Sequence, residues 1–237
     1  RPALAQVGGR IAREGELGPA PVPFIGRSLA EYAQRFALDV AALKGRDVLD
    51  VGAGPSSFTA EAAARRVNAV ALDPLYGDPG GLLRERIAQD YARAYVPGRL
   101  RVRRLRPPGF SSLAAAESEH RAAAERFLQD YEAHFAHGRY VSGSLPQLPF
   151  FDGTFDLVLC AYLLFSDPVR FDFEWHLAAC RELVRVSVDT ARIYPLCTSD
   201  GRTYPGLARL RRELRAAGIS SQVAGTDALL VLRRAAP

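Results

Sequence analysis

The stretch VLDVGAGPSSFTAEAA, residues 48–63, constrains the fold more tightly than any other part of the chain. An apolar run ends at Asp50 and breaks into Gly52-Ala53-Gly54, and a helical pattern starts from Ser57. Glycines one residue apart after a buried strand permit a tight turn and a close approach to the backbone. The stretch therefore predicts the strand–turn–helix opening of a βαβ unit. Two features set it apart. Ser57 stands where a third glycine would complete G-x-G-x-x-G, and a carboxylate, Asp50, lies directly at the turn.

The rest of the chain continues the alternation. Upstream, residues 1–26 are rich in glycine and proline and read as an irregular arm. SLAEYAQRFALDVAAL, residues 28–43, reads as a helix with Ser28 and Glu31 spaced as a capping box and Leu29, Tyr32, Phe36 and Val40 on one face. NAVALD is a second strand ending at Asp73. The connection from Pro74 to about Gly138 is too long for one crossover. It carries predicted helices over 81–95 and 111–136 with an arginine-rich, proline-bounded stretch between them. In the second of these helices Phe127, Tyr131 and Phe135 recur every four residues, which predicts a buried face. Residues 76–138 thus read as a helical insertion after the second strand that caps a site or forms a partner surface. Beyond it, RYVSG, FDLVLCA and TARIYPL read as strands. FDFEWHLAACRELVRV reads as a helix presenting Phe173, Leu177, Cys180 and Val184, and GLARLRRELRAAG as a helix closed by Gly218. A final β region covers 220–234. The expected fold is α/β, a doubly wound Rossmann-like sheet with helices on both faces, with residues 27–237 as one domain.

Composition bounds the function. A chain of 237 residues that is 48% apolar and 24% charged can bury a sizeable core. No apolar run is long enough to span a bilayer and no signal-peptide pattern is present, so a membrane role is not expected. Cys160, Cys180 and Cys197 have neither disulfide-framework nor zinc spacing, which fits a cytoplasmic setting. The net charge of +5 comes from arginine, since Lys44 is the single lysine. Arginines cluster over 99–106 and 209–215. They read as solvated surface, because acidic residues nearly balance them and no aromatic platform is interleaved.

Asp50 bears on what the glycine turn holds. A dinucleotide sets its pyrophosphate on the helix N-terminus after such a turn. A carboxylate about 4 Å away would repel it by roughly 4 kcal/mol at an effective dielectric near 20. S-adenosylmethionine brings a sulfonium, an ammonium and no phosphate, so an acidic residue beside the turn is favourable. Asp73 at the end of the next strand suits ribose hydroxyls of either cofactor and does not discriminate. A ligand-free βα turn is the alternative that the flanking strand, helix and two aspartates argue against.

Four motifs in order carry a family resemblance. VLDVGAGPSSF and AVALDPLY resemble the first two motifs of the class I S-adenosylmethionine-dependent methyltransferases, specifically small bacterial methyltransferase-domain proteins. SGSLPQLPFFDGTFDLVLCAYLLF resembles the third and fourth, and the similarity runs from about residue 24 to 234. The resemblance implies S-adenosylmethionine as cofactor, with S-adenosylhomocysteine as product. It implies that Asp50, Gly52, Ala53 and Gly54 line the methionine portion, that Asp73 binds the ribose, and that Pro74 or Leu75 packs on the adenine. It places Ser144 and Leu145 at the adenine edge and the Ala161 carbonyl toward the ammonium. Ser144 departs from the pattern, standing where the family often has an aspartate. Arg27 and Tyr32 either close over the cofactor carboxylate or are surface and core residues respectively.

Methyl transfer from a sulfonium needs alignment and exclusion of water, and a base only when the acceptor carries a proton to lose. By position after the fourth and fifth strands, Tyr162 and Tyr194 are the candidates for proton handling, with Asp167 and His176 behind them. His134 and His137 have helical spacing but no third convergent ligand for a metal. The leading expectation is a methyltransferase acting on a small molecule. Methylation of RNA or protein through the 99–106 arginines, and a non-catalytic S-adenosylmethionine-binding partner subunit, are the alternatives. The insertion is also a candidate homodimer surface. A nicotinamide oxidoreductase is disfavoured by Asp50.

Overall fold

The computed structural model describes residues 22–95, 110–166, 170–198, 201–225 and 229–235. Most of the expected arm, the 99–106 arginines and Asp167 lie outside the described residues. Seven strands are described: β1 Asp47–Val51, β2 Asn68–Asp73, β3 Tyr140–Ser142, β4 Phe155–Ala161, β5 Ser187–Tyr194, β6 Ile219–Ala224 and β7 Leu229–Arg234. They form one sheet in the order β3-β2-β1-β4-β5-β7-β6. The first five run parallel, β7 is antiparallel to β5, and β6 to β7. The described helices are α1 Leu29–Phe36, α2 Phe58–Ala63, α3 Gly80–Ala94, α4 Leu113–His134, α5 Phe173–Val186 and α6 Leu207–Ala216.

This is the doubly wound, Rossmann-like sheet the alternation predicts. Parallel strands covered on both faces read as continuous apolar runs, and side chains alternate between the two helical layers. Leu49, Val51, Val158, Cys160 and Ile193 face the layer built from α5 and α6. Val48, Ala69, Leu157, Leu159 and Ala161 face α1 and α2. Asp50 shares the second face with Val48 and lies between Ala71 on β2 and Leu159 on β4. The chain leaves β1 toward β2 and β3, then crosses back to β4. The loops after β1 and β4 therefore diverge, and the carboxyl edge of the sheet between them is where such folds place ligands.

Among the described residues, α3 and α4 lie in the connection from β2 to β3. An aromatic cluster docks α4 on this sheet edge: Tyr76, Phe127, Tyr131 and Tyr140 sit with ring centroids 5.3–5.7 Å apart. The expected stripe of three aromatics stops at Tyr131. A 3-10 turn over Phe135–His137 follows α4, swings Phe135 out of register and leaves it exposed. The first helix is also shorter than its sequence pattern. Ala37 takes a left-handed conformation (φ 49°) whose N–H caps Ala33 O. The Asp39 side chain then accepts from Ala41 and Ala42 N–H and starts a 3-10 turn, so Val40 is not on α1. The capping box is half formed. Ser28 Oγ accepts from Glu31 N–H, but the Glu31 carboxylate turns inward to other partners.

A strap over residues 24–28 precedes α1 and lies across the turn after β1. Phe24 N–H donates to Asp90 Oδ2 at 2.9 Å and Gly26 N–H to Tyr91 Oη at 3.1 Å, both on α3. The Arg27 carbonyl accepts from Ser57 N–H and Ser56 Oγ. Gly26 is confined: a Cβ there would lie 2.6 Å from His120 O and 2.7 Å from Ala124 N, both backbone atoms of α4. Gly26→Ala is therefore expected to cost roughly 1–3 kcal/mol by overpacking and to lower Tm by several degrees. Gly81→Ala on α3, with nothing near its Cβ position, should be neutral or slightly stabilising in the same thermal melts.

Candidate functional site

The turn after β1 is wound by Gly52 (φ 67°) and Gly54 (φ 55°). Its amide groups are already committed. Gly52 and Ala53 N–H both donate to Leu72 O, and Gly54 N–H donates to Asp73 Oδ2 at 3.0 Å. Pro55 has no N–H. Ser56 N–H donates to Ala53 O, Ser57 N–H to Arg27 O, and Phe58 N–H to Ser56 Oγ. No amide from Gly52 through Phe58 is left to cradle a phosphate. These residues therefore offer an anion no free N–H group.

Two carboxyl groups stand behind the turn instead. Asp50 is wholly buried. Its Oδ1 accepts from Tyr32 Oη at 3.1 Å, and its Oδ2 has no hydrogen-bond partner. Burial pushes its pKa up to about 8, with the Tyr32 bond opposing and the nearby Asp73 charge adding to the rise. Asp73 is nearly buried, and its oxygens accept from Gly54 and Leu75 N–H. Burial raises it to about 6, with those two amides holding it down in part. Asp50 was expected as an acidic residue at the rim of the turn. The pleat sends its side chain under the turn toward α1, where it is sealed and, at neutral pH without a cation beside it, mostly protonated. Tyr32 is core, stacked on Phe58 at 4.7 Å, and acts by holding Asp50.

A buried polar cluster adjoins the turn. Tyr162, the first residue after β4, has φ 55°, a conformation bulky residues adopt only under constraint. Its hydroxyl donates to Glu31 Oε1 at 2.7 Å, and the Arg27 guanidinium lies 3.9 Å from its ring centroid. The other Glu31 oxygen lies 2.9 Å from His120 Nε2, and the Tyr95 hydroxyl meets His120 Nδ1. The neutral tautomer with Nε2 protonated satisfies both contacts. Arg27 Nε lies 3.5 Å from Glu31. Burial pushes Glu31 upward, but Arg27 and the bonds from His120 and Tyr162 outweigh it and hold the carboxyl at about 2. Burial raises the Tyr162 phenol well above its usual value. Arg27, taken either as surface or as a cofactor clamp, is a buried member of this cluster.

Glu31, Tyr95 and His120 were not legible as site residues. His120 sits on α4 among Ala116, Ala123, Ala124 and Phe127, all buried. A histidine inside that apolar stripe was the one available signal.

The other expected residues fall in three places. Ala161, Asp73, Leu75, Pro74, Ser144 and Leu145 lie at or just beyond the carboxyl ends of β4, β2 and β3, flanking the turn. Pro74 and Ser144 are exposed, Leu75 is half-buried, and Leu145 is buried. Tyr194 ends β5 with its ring 5.3 Å from that of Tyr162, and its carbonyl accepts from Tyr162 N–H. His176 does not join them. It is buried against Phe165 and Tyr204 on the opposite face of the sheet, and its ring nitrogens meet Asp172 O at 2.6 Å and Leu164 O at 2.8 Å. It ties the segment after β4 to α5 and is not placed to receive a proton from a substrate at the turn.

The buried carboxyl predicts a pH signature. An aspartate in the unfolded chain ionises near pH 4, about four units below folded Asp50. The native state therefore holds an extra proton across that window, and Asp50 makes stability fall as pH rises through it. Asp50→Asn removes this penalty. Its stability relative to wild type should grow from about pH 4 to about pH 8 and then level off, by at least about 1.4 kcal/mol, in denaturant titrations at several pH values.

No family model matches the chain. An uncharacterized protein of Methanocaldococcus jannaschii is 23% identical over 215 residues, covering 89% of this chain and 95% of that protein. Among solved structures, a Methanococcus maripaludis protein assigned to the S-adenosyl-L-methionine-dependent methyltransferases matches at 14% identity and TM-score 0.44. The match covers 88% of this chain and 84% of that one. Magnesium protoporphyrin IX methyltransferase from Synechocystis PCC 6803, solved with bound S-adenosylhomocysteine, matches at 16% identity and TM-score 0.45 over 85% and 82% of the two chains.

Proposed function

We propose that this chain is an S-adenosylmethionine-dependent methyltransferase acting on a small molecule. One observation carries the reading. At the point where the sheet changes winding direction, the glycine turn has two carboxyl groups behind it and no uncommitted amide. Such a turn offers a pyrophosphate no amide, and a cationic, phosphate-free ligand would gain from ionising the carboxyl behind it.

The residues fit that ligand. Asp50 Oδ2 is a buried oxygen lacking a partner, which a ligand cation would satisfy by displacing its proton. Gly52 and Gly54 keep the turn free of side chains on the methionine side. Asp73, at the end of β2, would take the ribose hydroxyls. Leu75 and Leu145 offer apolar surface for the adenine, with Ser144 at its edge, and the Ala161 carbonyl would face the ammonium. The donor, when bound, supplies a methyl group already activated on a sulfonium. The chain's own contribution is then alignment and exclusion of water.

Proton handling falls to the cluster beside the turn. The Tyr162 proton is committed to Glu31, so the phenol oxygen presents lone pairs. That oxygen would orient an acceptor through the acceptor's own O–H or N–H. With its pKa raised, Tyr162 is a positioning hydroxyl rather than a base.

Calorimetric titration tests the reading. S-adenosylhomocysteine should bind with Kd on the order of micromolar, and NAD should not bind. Asp73→Ala should weaken the first at least about tenfold, or about 1.4 kcal/mol. Tight NAD binding, or no response to S-adenosylhomocysteine, would overturn it.

A further inference from the structure

The turn that the proposed cofactor would occupy is covered. Asp50 is out of solvent reach, Leu163 packs so that a Cβ at Gly52 would lie 2.6 Å from its Cδ2, and the Phe24 ring lies 3.5 Å from a Cβ at Gly54. The covers come from distant parts of the chain, the 24–28 strap and the Tyr162–Leu163 segment after β4. They meet side chain to side chain in the cluster described above. Arg27 of the strap rests on the Tyr162 ring, and Glu31 at the start of α1 accepts the Tyr162 hydroxyl. His120 of α4 donates to Glu31 through Nε2 and accepts the Tyr95 hydroxyl at Nδ1.

A cluster of this kind is a poor choice for stability alone. Removing a buried guanidinium and carboxylate from water costs several kcal/mol per ion, and apolar side chains of similar volume commonly do as well. Its polarity is better explained by a contact that must break and re-form, since its members regain hydration when they part. Tyr162 adds to this, because its left-handed backbone is unfavourable for a tyrosine and is retained where the cluster holds it.

We propose that the Arg27, Glu31, His120 and Tyr162 cluster is a latch that holds the strap and the Tyr162–Leu163 segment down over the turn, so that a ligand enters only when the cluster opens. The identity of that ligand rests on the proposed function; the latch itself does not. It also gives α4 a role, since His120 of that helix holds Glu31 in the cover.

Tyr162→Phe is the direct test, because it keeps the ring beneath Arg27 and removes the hydroxyl that Glu31 accepts. Glu31→Gln is the second variant, should the first fail to fold. Amide hydrogen exchange should quicken at least about fivefold over residues 24–28 and 52–57 and stay unchanged over α5. Association and dissociation rates of S-adenosylhomocysteine should both rise at least about fivefold, with Kd changed less than about threefold, because a gate slows both directions alike. Exchange that is unchanged or quickened along the whole chain overturns the latch. Local loosening with unaltered ligand rates overturns it as well. Should wild type fail to bind S-adenosylhomocysteine, the cofactor assignment falls and the exchange measurement alone decides the latch.

Discussion

The structure of the site depends on one interaction, the hydrogen bond from Tyr32 to a carboxyl group buried at the end of β1. An ionised carboxylate in that position, with one oxygen unpaired, would cost several kcal/mol of solvation that a single phenol bond does not return. Asp50 meets this by staying protonated to a pH near 8. The cost is thereby reduced but not removed, because Oδ2 is left without a partner. A cation delivered to this point would ionise the carboxyl and satisfy the orphaned oxygen together. Asp73 reinforces the bias, since the Gly54 amide that a phosphate would need is already bonded to it.

Fold and chemistry are joined by the pleat and the winding of the sheet. Alternation along β1 sends Leu49 and Val51 to one helical layer and Val48 and Asp50 to the other. The reversal between β1 and β4 sets the glycine turn beside Tyr162, which follows β4 directly. The strap before α1 then crosses the turn, fixed by main-chain bonds to α3 side chains and to Ser56 and Ser57. Glu31, Tyr162 and His120 thus come together from positions 31, 162 and 120, through contacts that only the packing of helices on the sheet creates.

What the sequence made legible follows the same physics. The strands were readable because parallel strands covered on both faces are nearly pure apolar runs, and Asp50 and Asp73 stood out at or next to their ends. The glycine turn was readable because positive φ at 52 and 54 calls for glycine. Direction and exposure were not. Asp50 was placed at a rim, although strand alternation pointed its side chain at α1. Val40 and Phe135 kept a helical spacing that capping at Ala37 and the end of α4 at His134 cut short. Long-range polar contacts were the least accessible. Nothing local distinguishes His120, bonded to Glu31, from His176, held by two main-chain carbonyls on the other face. Both are histidines on amphipathic helices, and only tertiary structure tells them apart.

Under the turn lies a protonated, half-satisfied carboxyl that a positive charge would ionise. Titrating S-adenosylmethionine calorimetrically at neutral pH, in buffers of differing ionisation enthalpy, counts the protons exchanged on binding. Release of nearly one proton per ligand is expected for wild type, and its loss in Asp50→Asn. Binding with the same proton exchange in both proteins would contradict it.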